Sequence, residues 1–205
     1  MGPELIVQSL APSSTVTADS VISFTGTDFR LGNLAVNGLV RGYARLVPPC
    51  LDVYAWIDPD RRRVALERFI ERYVNTEAPG DPRFEAFMRV HAQDNGSAAD
   101  REVLAELRRG DSSGDEFSLY LHARDYEFAI LTVTAEKAVV LGLSLDDPFD
   151  SPDVLAEGTR LLHRLCREFS AREGLAGVEL PPPQSWSEWT EDAGVLVRHP
   201  PADLR

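Results

Sequence analysis

The same local phrase occurs twice in this chain: an apolar run, an Asp-Pro step, and then helical spacing. The first copy is Leu51-Asp52-Val53-Tyr54-Ala55-Trp56-Ile57, followed by Asp58-Pro59 and a helical pattern over residues 61–74. The second is Val139-Val140-Leu141-Gly142-Leu143-Ser144-Leu145, followed by Asp146-Asp147-Pro148 and a longer pattern over residues 152–173. Proline cannot donate to a strand ladder but suits a first helical turn, and an aspartate there accepts from unpaired helix N–H groups. The repetition therefore predicts two β–α units in one sheet. It gathers carboxylates where strands end and helices begin.

Between the copies the helical signals continue. Leu66, Phe69, Ile70 and Tyr73 recur at helical spacing, with Arg63, Glu67, Arg68 and Arg72 opposite. Asp81-Pro82 opens another stripe of Phe84, Phe87, Met88 and His91, which Asp94-Asn95-Gly96 stops. Ser97 starts a third helix carrying Val103, Leu104 and Leu107, closed by Gly110. Residues 117–122, 126–134 and 138–145 then read as three strands with tight gaps, an antiparallel meander. Ser151-Pro152-Asp153 caps the last long helix, whose Leu155, Leu162, Leu165, Cys166 and Phe169 face the core.

The fold expected is α+β: a mainly antiparallel sheet, built from the meander and a β–α unit, with helices packed on one face. Residues 1–48 form a low-charge arm or small β element, with short strands expected at 21–24 and 34–36. Residues 49–205 make one α+β domain. From about residue 178 its tail is irregular, rich in Pro and Trp, with a final strand over 194–198.

Charge narrows the partners. A net charge of −12 repels phosphates, so nucleic acid is not expected, whereas a basic protein would be attracted. Two cysteines, Cys50 and Cys166, make no disulfide framework and fit a reducing cytoplasm. The N-terminus lacks the basic start and apolar run of a signal peptide, and no stretch is apolar enough to span a bilayer, so no membrane association is expected.

Catalytic motifs fail one by one. Gly142-Leu143-Ser144-Leu145-Asp146 lacks the second glycine of a nucleophile elbow. Gly110-Asp111-Ser112-Ser113-Gly114 is followed by acids where a phosphate loop needs lysine, and no cofactor is expected. His163 and Cys166 lie one helical turn apart, but Cys166 belongs to the apolar face and has no metal-binding spacing around it. His91 continues an apolar stripe and reads as packed.

Two functional expectations remain. The first is a non-catalytic domain that binds a basic protein, by analogy an immunity-type inhibitor. Asp58, Asp60, Asp146, Asp147 and Asp150 would form its acidic rim, and Trp186 and Trp189 its aromatic anchors. The competing and favoured reading of those tryptophans is that both rings clamp the tail onto its own domain. The alternative is a carboxylate enzyme, with or without a metal, whose Asp58 and Asp147 meet in one pocket because both strands point the same way.

Overall fold

The computed structural model describes residues 49–108, 114–147 and 151–200. The expected arm at 1–48 and the candidate Asp150 lie outside them.

Strand β1, Cys50–Ile57, is buried along its whole length, which suits a run of apolar and aromatic side chains interrupted only by Asp52. A turn at Asp58-Pro59 leads into α1, Arg62–Tyr73, which buries Ala65, Leu66, Phe69, Ile70 and Tyr73 as its spacing predicts. The expected cap differs. Arg61 occupies the N-cap position without a side-chain bond, and the Asp58 carbonyl accepts the Arg61 N–H at 3.1 Å, closing a tight turn.

Helix α2, Phe84–Phe87, runs directly into a π-helical turn over Met88–Ala92. The Gln93 N–H reaches back to the Met88 carbonyl at 2.9 Å, five residues away, and Asp94 takes a left-handed conformation (φ 54°) that ends the segment. Helix α3, Ala98–Ala105, starts on a reciprocal capping box between Ser97 and Asp100. The Asp100 carboxylate also takes a 2.6 Å bond from Arg89, tying α3 to the π turn.

Strands β2 (Phe117–His122), β3 (Phe128–Val133) and β4 (Val139–Asp146) form the expected meander. Helix α4, Pro152–Phe169, begins on the Ser151 cap and stops at Ser170, whose left-handed φ of 51° turns the chain. It ends earlier than the sequence pattern implies, and residues Glu173–Val178 form a strand, β5. The tail beyond is more regular than expected, with a short helix α5, Trp186–Thr190, and a last strand β6, Val197–His199.

All six strands lie in one sheet, ordered β2-β3-β4-β1-β5-β6, and every neighbouring pair is antiparallel. Because β4 and β5 both run antiparallel to β1, they are parallel to each other, with β1 between them. Helix α4 crosses over β1 to connect them. It sits close to the sheet: a Cβ at Gly158 would stand 2.4 Å from Leu51 Cδ2, and one at Gly174 would stand 2.5 Å from Cys166 Sγ.

Both faces of the sheet are packed over its centre, and the β2 edge leaves Tyr120 exposed. On the helical face Leu51, Val53, Ala55 and Ile57 meet Leu66, Phe69, Leu162 and Leu165, together with alternate residues of β2, β3 and β4. On the other face Tyr54, Trp56, Ile130 and Val140 are covered by Leu180 and Trp189 from the tail.

Candidate functional site

The expected acidic rim depends on the relative direction of β1 and β4, and the sheet reverses it. In their register Cys50 pairs with Asp146, and Ile57 with Val139. Asp58 and Asp60 follow Ile57, whereas Asp146 and Asp147 sit beside Cys50. The two groups are separated by the length of β1, about 23 Å at ~3.3 Å per residue. Asp58 and Asp147 therefore share no pocket and no ion. The carboxylate-enzyme arrangement fails on this point, because antiparallel pairing of two similar phrases sends their ends apart.

At the Asp58 end the carboxylates have cationic neighbours. Asp58 lies 3.9 Å from Arg172, and exposed Asp60 lies 3.9 Å from Arg61. Asp147, at the other end, is buried. Its Oδ1 accepts the Ser151 N–H at 2.8 Å and its own N–H donates to the Pro49 carbonyl, so it fastens the start of α4 and is not part of a binding rim.

Asp146 is exposed and belongs to a different group. With Asp125, Glu127 and Glu157 it borders a shallow concavity of about 470 Å³ that Arg124 and half-buried Tyr126 also line. None of these four carboxylates makes an ion pair among the described residues. Exposed Arg124 is the one cation in this lining, its Nε donating to the Val74 carbonyl. A local negative field follows. The buried Cys50 thiol is pushed up to about 11 by burial and then by the charges of Asp52, Glu179, Glu127 and Asp146.

The tryptophans are placed differently from the expected anchors. Trp189 is fully buried, its ring 5.3 Å from Trp56 and its Nε1 donating to Glu173 at 3.0 Å. Trp186 is half-buried, edge-on to Trp56 at 4.9 Å, with the Arg172 guanidinium 4.0 Å from its ring. Both rings clamp the tail to the sheet near the Ile57 end, away from Asp146.

A second concavity was not legible in the sequence. It encloses about 340 Å³ between α1, the π turn, α3 and the ends of β2 and β3. Arg62, Arg101, Arg108 and Lys137 line it with two carboxylates, Asp94 and Asp115; Phe117, Leu104, Val90 and Val133 supply apolar wall. Asp115 is held by Arg108 at 2.8 Å and by Lys137 at 2.9 Å. His91 projects from the π turn between Phe87 and Phe117, with ring centroids at 5.0 and 5.6 Å. Burial, reinforced by the charges of Arg62, Arg101 and Lys137, holds this imidazole down at about 4, so it is neutral at physiological pH. The lining cations come from positions 62 to 137 and read individually as solvated helix faces. The one available signal is that Lys137 is the only lysine in the chain.

Among the described residues no three His, Cys, Asp or Glu side chains gather as a metal site, and no helix is long and apolar enough to cross a membrane. No protein-family model matches the chain, and neither a curated protein nor a solved structure is similar to it.

Proposed function

We propose that this chain is a non-catalytic acidic domain that binds a basic protein partner, in the manner of an immunity-type inhibitor, at the Asp146 end of its sheet. The observation that carries this reading is the set of carboxylates, Asp125, Glu127, Asp146 and Glu157, that border one concavity with no ion pair among the described residues. The excess charge lies in the right part of the chain. Before residue 49, Glu4, Asp19 and Asp28 balance Arg30, Arg41 and Arg45, so the whole net charge of −12 belongs to residues 49–205. Such a field speeds encounter with a cationic surface, and Tyr126 offers an aromatic contact within it. A reducing cytoplasm suits two buried cysteines that form no disulfide.

The test compares two baits in one native extract, the natural chain and its Asp125→Asn, Glu127→Gln, Asp146→Asn, Glu157→Gln variant. The expected outcome is a basic protein retained by the natural chain, released by salt, and lost from the variant. Equal retention by both baits, or a retained partner without basic character, contradicts the proposal.

A further inference from the structure

The cavity beneath α3 opposes the electrostatic character of the rest of the protein. Four cations against two carboxylates give its lining a charge of +2 in a chain of net charge −12. Placing cations together costs free energy unless an anion compensates them, and Asp115 compensates only Arg108 and Lys137. Arg62 and Arg101 have no carboxylate partner among the described residues. Among the described residues Arg62 donates only to the Lys137 carbonyl, at 3.4 Å, and Arg101 reaches the Gly96 and Ser97 carbonyls through a single nitrogen, Nη1. Each guanidinium keeps further N–H donors. Arg108 Nε is buried with no hydrogen-bond partner among the described residues, which leaves this guanidinium anchored through its Nη2 bond to Asp115.

We propose that this cavity is a binding site for a small organic anion, with its phosphate or carboxylate group met by Arg62, Arg101 and Arg108 and its apolar body laid against Phe117 and Leu104. The volume suits a small metabolite and is too small for a folded segment. Guanidinium groups match phosphate and carboxylate oxygens in a bidentate fork. The neutral His91 ring adds a flat wall and a hydrogen-bonding nitrogen without further charge. The π turn supplies this geometry, because its wider winding carries His91 between Phe87 and Phe117. The site is independent of the Asp146 end, and either assignment can fail without the other.

The single lysine supplies a probe. Reductive ¹³C-methylation of the full chain labels Lys137 and the N-terminal amine alone, so the Lys137 resonance reports on the cavity directly. Phenyl phosphate and benzoate are titrated as anionic probes, with benzyl alcohol as the neutral control, and calorimetry on unmodified protein checks the affinities. The expected result is a saturable one-site shift with both anions and none with the alcohol. Arg62→Gln and Arg101→Gln should each weaken phenyl phosphate by about tenfold. Arg198→Gln, on a different part of the chain, should leave the affinity unchanged. Arg62→Gln and Arg101→Gln keep the first two methylenes of each side chain, and an unaltered near-ultraviolet circular dichroism spectrum confirms their fold. The proposal is overturned if neither anion shifts the lysine signal at about 10 mM. Benzyl alcohol matching the anions would overturn it too, as would unchanged affinity in both arginine variants.

Discussion

Ser144 Oγ donates a 2.6 Å hydrogen bond to Asp52 Oδ1 across the register pair that joins β4 to β1. Both residues are buried. The Asp52 carboxyl is pushed up to about 6, chiefly by burial and also by the Glu179 charge, while the bonds from Ser144 and the Leu180 amide act against that rise. Between the unfolded value of 3.8 and this folded value, the native state holds a proton that the unfolded chain releases. The stability this group contributes is complete below pH 3.8 and is lost as pH rises through about 6. Asp52→Asn should therefore stabilise the protein at pH 7 by about 1–3 kcal/mol and change little at pH 4. Urea unfolding of both proteins across that range measures the difference, and an equal gap at both pH values would contradict the assignment.

Neither thiol should react in the native protein. Burial and neighbouring carboxylates push Cys50 up to about 11, and burial alone pushes Cys166 up to about 12. The thiolate is the reactive form, so both are protonated and shielded at pH 8. A colorimetric disulfide reagent should find no fast thiol in native protein and two after unfolding in denaturant. Rapid native labelling of Cys50 would mean that the Asp146 end is more open than described.

The two tail tryptophans should differ in cost. Trp189 is fully buried against Trp56, so Trp189→Ala should destabilise by about 3–5 kcal/mol. Half-buried Trp186 leaves less of a void, and Arg172→Ala, which removes the cation above that ring together with its long, exposed pair to Asp58, should cost about 0.5–1 kcal/mol. Denaturant midpoints of the single variants give the order. If Trp186→Ala were the costlier tryptophan change, the clamp would be assigned to the wrong ring.

Local sequence carried the elements whose signals are local. Helix α1 and the meander follow from spacing and turn residues, and the start of α4 follows from Ser151-Pro152. Strand β5 was hidden because Gly174, Ala176 and Gly177 replace the branched side chains that mark a strand, small residues being needed where α4 and the tail approach. Strand direction was hidden for a different reason. The two Asp-Pro phrases look alike whichever way their strands run, so the convergence of Asp58 with Asp147 was a question of topology. The basic cavity is assembled from α1, α3 and two loop regions, and no sequence window contains it.

A cationic partner is proposed to dock at the Asp146 end. The most direct measurement titrates ¹⁵N-labelled protein with an oligolysine peptide and maps the amide shifts. Shifts confined to residues 124–127, 146 and 157, and abolished by salt, are the predicted result. Shifts centred on Asp58 and Asp60, or scattered without a locus, would contradict it.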